Sequence, residues 1–331
     1  MRPPRIDASA LEATTPATYT FDFLPSALDE VREGIRCAYR RNGFVVLRGF
    51  AELGEVEALR ARADEIAAEA VAKGDGAMAL GGRDRQTSSE RRFLESAEGV
   101  EAFWEKDGAA VNKLGHAMHD LDDTFRRFSR SAKMRAVLRD VIGYCTPTPI
   151  QSMYIFKQPR VGGEVIPHID STFLYTDPPS ACGMWVAMER ATMENGCLWA
   201  LPGSHRSDGC GDNGIEEGRD ADSASLITGP VARRFRLQAD GLTTAFDGEE
   251  ENGGRNDGEI DVAGYVPLEV GLGDLVILHG SVKHFSFENR SEKSRHAYTC
   301  HFVEAEQEGG AYRWSKDNWL QRSELMPFEP L

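Results

Sequence analysis

The feature that most constrains this chain is a change of hydrophobic rhythm near residue 149. Beyond it, short apolar runs at 150–156, 182–188, 197–201, 274–279 and 296–303 alternate with stretches rich in Gly, Pro and Asp. Runs of that length suit strands better than helices, and turn signals between them predict an antiparallel sandwich or barrel. Before residue 149 the rhythm is helical. Leu28, Val31, Ile35 and Tyr39 recur at helical spacing behind Ser26, a helix-capping residue type, and Gly43 provides a stop. Phe44–Leu47 reads as a buried strand, residues 54–73 as a second helix, and residues 109–141 as one or two more. Helices first and strands afterwards predict a mainly β fold with flanking helices packed outside a jelly roll.

The chain has 331 residues, 41% of them hydrophobic, enough for a sizeable core. It has no apolar run of the roughly 18 residues that a membrane span needs. The formal net charge of -15 argues against nucleic-acid and membrane partners, which call for clustered Lys and Arg. Residues 207–261 alone hold 14 Asp or Glu against 5 Arg or Lys, and read as an acidic surface insertion, a solvated loop or an active-site lid. The expected organisation is an N-terminal extension over 1–20 and a single domain over 21–331 that carries this insertion. The six cysteines form no Cys-x-x-Cys pair and predict free thiols. The first residues lack the apolar stretch of a signal peptide, so the expected location is cytoplasmic.

One constellation carries chemistry. In Ile166-Pro-His-Ile-Asp170, a strand would point His168 and Asp170 to the same face, where an imidazole and a carboxylate can share a metal. Two His and one carboxylate form the facial triad that suits Fe(II). On residue types alone His279 and His284 compete for the third position. Lys113, read on an apolar helical face near Leu114 and Ala117, asks for an anion or for a route to solvent. His116 and His119 would sit three apart on that helix, where a structural role is expected. Arg295 could clamp a carboxylate, since its guanidinium stays charged and grips in bidentate fashion. His205, His296 and His301 are read as structural.

Several stretches resemble the phytanoyl-CoA dioxygenase family in family order: Gly43–Phe50, Asn112–His119, Gln151–Pro159, Gly162–Pro178, Glu194–His205, His279–Phe302 and Trp314–Leu320. The resemblance implies a double-stranded β-helix core of the jelly-roll, cupin-like kind, with Fe(II) on His168, Asp170 and His284. It implies 2-oxoglutarate held by Arg295 and Ser286, with Lys113, Met153 and Trp185 lining its pocket. It implies a 2-oxoglutarate-dependent dioxygenase that hydroxylates a small metabolite or acyl-CoA and releases succinate and CO2, with ascorbate as a candidate reductant. Iron halogenases of this superfamily carry a small residue at the position of Asp170, so the Asp points to hydroxylation. The rival expectations are a cupin-type metal enzyme without 2-oxoglutarate and a non-catalytic binding protein.

Overall fold

The computed structural model describes residues 16–24, 28–73, 78–79, 91–105, 108, 110–206, 229–248, 255–256, 259–305 and 312–331. Ser26, most of the 1–20 extension and residues 207–228 lie outside them.

Eight strands build the core: β1 (Pro147–Ile155), β2 (Val165–His168), β3 (Cys182–Ala187), β4 (Leu198–Ala200), β5 (Val266–Leu268), β6 (Leu275–His279), β7 (His284–Ser286) and β8 (Ala297–Glu304). One sheet contains the order β6-β3-β8-β1, the other is β5-β4-β7-β2, and every pair among these eight is antiparallel. From β1 to β4 and from β5 to β8 successive strands alternate between the sheets, while β4 and β5 pair within one, the jelly-roll arrangement of the expected double-stranded β-helix. The larger sheet extends beyond β6 through Phe44–Arg48 and Thr20–Asp22, and beyond β1 through Val111–His116, Val100–Trp104 and Met78–Ala79.

Period-two alternation assigns the faces. On β6, Leu275 and Ile277 turn outward to a core shared with the helices, while Val276 and Leu278 turn inward to a second core between the sheets. The helices Leu28–Asn42 and Leu53–Lys73 pack on the outer face through Ile35, Tyr39, Val56 and Leu59. The first carries Asp29 and Glu30 in its first turn and Arg40 and Arg41 in its last, as the helix dipole favours. It stops where Gly43, at φ +78°, donates its N–H to Tyr39 O at 2.7 Å.

The helical expectation for 109–141 is wrong in its first part. Val111–His116 is a strand between Val100–Trp104 and β1, and helical structure begins at Met118 and runs to Ile142. Val111, Leu114 and Met118 mimic a helical stripe, but pairing on both edges overrides that local pattern.

In the insertion, Arg233–Leu237 and Thr244–Gly248 pair as a surface hairpin, with Phe235 buried and Phe246 exposed. Arg234 and Arg236 tie the hairpin to Asp317 near the C-terminus.

Ile277 is fully buried on the face away from the inter-sheet space. Ile277→Ala is expected to lower unfolding free energy by about 2–5 kcal/mol. Urea denaturation would measure this, and metal affinity should be unchanged because Ile277 faces the helices.

Candidate metal centre

The register between β2 and β7 sets His168 directly opposite His284, with ring centroids 4.3 Å apart. After β2, Ile169 stays extended at φ -120° and ψ 142°, so Asp170 returns to the face of His168 before a 3-10 turn begins. Asp170 Oδ1 lies 3.6 Å from His168 Nε2 and 3.5 Å from His284 Nε2. The three donor atoms fall within 4.8 Å of one another. Both imidazoles are oriented from behind. Nδ1 of His168 is 2.8 Å from Ile166 O, and Nδ1 of His284 is 3.0 Å from Val282 O. A carbonyl only accepts, so Nδ1 carries the hydrogen and each Nε2 presents a lone pair toward Asp170.

Protonation agrees with that arrangement. Burial works to raise the Asp170 pKa, but His284, His301 and His168 together hold it well below the usual carboxylate range. Burial pulls His284 down to about 4, against the upward pull of Asp170. Near neutral pH the cluster is one carboxylate with a neutral His284, the state in which such groups bind a cation.

Asp170 Oδ2 faces His301. His301 Nε2 is 3.4 Å away, within ion-pair reach, although Oδ2 has no aligned hydrogen bond. Gly183 makes room, since a Cβ there would stand 3.0 Å from Oδ2 and 3.5 Å from the His301 ring. His301, read from sequence as structural, thus stands behind the carboxylate, outside the group of three donors. It lies on β8 at even spacing from Arg295, and that parity was readable in the sequence. His279 belongs elsewhere: it faces outward to Tyr39 and His205, with ring centroids at 6.0 and 4.9 Å.

Around the triad the inner face gathers cations. Arg295 is 1% exposed, donates from Nε to Gly196 O at 3.1 Å, and leaves Nη1 buried without a partner. Its Cζ stands 5.2 Å from the Trp185 ring, and burial brings its pKa down to about 10. Lys113 sits on a strand, not on the expected helix. It points its ammonium to Met153 Sδ at 3.4 Å and lies 4.9 Å over the Phe103 ring, with a pKa lowered to about 8 by desolvation. Met153 and Trp185 both pair with Thr299 and share one inward row. His116 and His119 are likewise not on one helix. His116 ends a strand and bonds Ser96, while His119 bonds Ser152.

Two residues were missed from sequence. Lys157 donates to Ser286 Oγ at 2.9 Å, and only its place in the apolar run Ile155-Phe-Lys157 hinted at a buried role. Phe173 touches the ring of His168 and the insertion residues Phe235 and Phe246, so the hairpin borders His168, the most open of the three donors.

The profile of the phytanoyl-CoA dioxygenase (PhyH) family matches residues 39–297. A phytanoyl-CoA dioxygenase 1 of Oryza sativa subsp. japonica is 40% identical over 302 residues, covering 88% of this chain and 93% of its own. Phytanoyl-CoA dioxygenase domain-containing protein 1 of Bos taurus is 38% identical over 318 residues, covering 88% and 96%. Among solved structures, the epimerase SnoN in complex with Fe3+, alpha ketoglutarate and nogalamycin RO shares the fold at TM-score 0.54 and 18% identity, over 93% of this chain and 96% of that one. EctD from S. alaskensis with 2-oxoglutarate and 5-hydroxyectoine does so at TM-score 0.51 and 17% identity, over 87% and 80%.

A pH prediction follows from His284. Its pKa falls from 6.5 in the ordinary state to about 4 in the fold, so the unfolded chain takes up the proton first. Stability of the metal-free protein is expected to fall as pH drops between those values, by about 3 kcal/mol from this residue. Urea midpoints measured in chelator across that window should show the slope, and His284→Gln should remove part of it. A wild-type midpoint independent of pH would contradict this.

Proposed function

The chain belongs to the phytanoyl-CoA dioxygenase family, and on that premise we propose an Fe(II)- and 2-oxoglutarate-dependent dioxygenase. It hydroxylates a small metabolite or an acyl-CoA-type substrate and releases succinate and CO2. In this reading residues 21–331 form the oxygenase domain, 1–20 precede it as an extension, and 207–261 are an insertion within it. Five described cysteines are free thiols, in keeping with a cytoplasmic location.

The residues fit the group they would hold. His168, Asp170 and His284 offer two lone pairs and one carboxylate, the donor set that suits Fe(II) and leaves positions open for other ligands. When bound, iron with 2-oxoglutarate and dioxygen supplies the oxidising power for attack on a C–H bond, and ascorbate would keep the iron reduced. The protein's part is to bind and to shield. Arg295 and Ser286 hold the distal carboxylate of 2-oxoglutarate. Lys113, Met153 and Trp185 line its pocket, and the indole also fills the inner face against water. His168 and His284 keep their Nδ1 hydrogens on backbone carbonyls.

The observation that carries this reading is the pairing of the triad with a buried Arg295 and a half-buried Lys113 that take no carboxylate. Among the described residues neither Arg295 nor Lys113 forms an ion pair, and Arg295 Nη1 has no partner at all. An unpaired buried guanidinium costs several kcal/mol. A dianionic co-substrate removes that cost, whereas a metal enzyme without 2-oxoglutarate would have no use for it.

Purified protein with Fe(II), ascorbate and 2-oxoglutarate is expected to form succinate, even slowly and without substrate. His168→Ala and His284→Ala should abolish both succinate formation and stoichiometric Co(II) binding followed by its visible absorbance. His279→Ala should bind Co(II) normally. Unchanged succinate formation in His168→Ala would sink the reading.

A further inference from the structure

Lys157 is a buried cation that the reading above does not use. It is 2% exposed, in the loop between β1 and β2. Its ammonium donates to Gly163 O and to Ser286 Oγ, both at 2.9 Å, and among the described residues no carboxylate pairs with it. Burial, and next the charge of Arg295, push its pKa well below that of an ordinary lysine. Glu105 and Glu164 pull weakly the other way, and Glu105 accepts from the N–H of the same Gly163.

The placement is built rather than incidental. Gly196 and Gly162 yield the space: a Cβ at Gly196 would lie 2.4 Å from Lys157 Cε, and one at Gly162 would lie 2.8 Å from Lys157 Cγ. Lys157 itself adopts φ 36°, a left-handed conformation that a residue with a side chain takes only when its surroundings impose it. What imposes it is bonding to the Arg295 segment. Lys157 O accepts from Arg295 N at 3.2 Å and from Asn289 Nδ2 at 2.9 Å. Gly196, which makes room for the lysine, also accepts the Arg295 Nε hydrogen bond. One scaffold holds both cations.

A hydroxyl has one hydrogen and two lone pairs. Lys157 occupies a lone pair of Ser286, so the Ser286 hydrogen is left to be donated. Arg295, whose Nε binds the Gly196 that borders Lys157, has its Nη1 buried without a partner. We propose that Lys157 is a positioning residue for the co-substrate: it sets Ser286 as a donor to the distal carboxylate that Arg295 also holds. This rests on the 2-oxoglutarate reading and goes beyond it in the residue it names.

The test loads the full chain with Mn(II), which binds without turnover, and titrates it calorimetrically with 2-oxoglutarate and with 2-oxobutyrate, which lacks the distal carboxylate. Wild type should prefer 2-oxoglutarate. Lys157→Met should weaken 2-oxoglutarate about 10- to 100-fold, as expected for loss of a hydrogen bond to a charged group, and should leave 2-oxobutyrate and Mn(II) binding unchanged. Loss confined to the dicarboxylate is the readout that a merely structural lysine would not give. Lys157→Gln serves as a second variant should Lys157→Met fail to fold. In a double-mutant cycle with Ser286→Ala the two losses should be less than additive. Undiminished 2-oxoglutarate affinity in both lysine variants, or equal loss for both acids, overturns the proposal. Failure of wild type to bind 2-oxoglutarate overturns instead the reading on which it rests.

Discussion

The site depends on one register, the pairing of β2 with β7 that sets His168 opposite His284. Because side chains alternate along a strand, a slip of one residue would turn either imidazole out of the inter-sheet space. The register is secured from both sides. β7 is also paired with β4, where Ala200 faces His284 and Leu198 faces Ser286, while β2 leads at once into the turn at Asp170. The Ser171 N–H donates to Gly280 O at 2.9 Å and ties that turn to the connection between β6 and β7. The same pairing therefore locates the two imidazoles, the carboxylate and, two residues on, the Ser286 hydroxyl.

The larger sheet supplies the opposing wall by the same period of two. Its inward rows carry Gly183 beside His301, and Trp185, Thr299 and Met153 across three neighbouring strands. Its outward face is apolar and covered by helices, which lets the inner face afford several buried polar groups. Arg295, Lys157 and His301 are costly there without partners. The fold tolerates them because cross-strand hydrogen bonding fixes the backbone around them, and Asp170 and the proposed ligands neutralise what remains.

The insertion shows how a segment of polar composition can still shape a site. Phe235 and Phe246 lie 4.9 Å apart, and both reach Phe173, whose ring is 6.0 Å from that of His168. Arg234 and Arg236 meet Asp317 of the C-terminal segment. Acidic composition obscured this, because the two aromatic residues are spread among turn formers and gain their meaning only through contact with Phe173.

By itself the sequence determined the β-rich class, the helix over 54–73, the positions of the main strands and the His-x-Asp pair, all of which follow from short-range periodicity. It held the parity that puts His301 on the face of Arg295, although that parity was not used. Tertiary structure decided the rest. Val111–His116 has an apolar spacing that suits a helix and became a strand because both its edges are paired. The choice of His284 over His279 follows from which side of the sheet each faces, a long-range fact. Lys157 meets Ser286 from 129 positions away. Local sequence records propensity and alternation, but whether a buried cation finds a partner depends on groups that only the folded chain brings together.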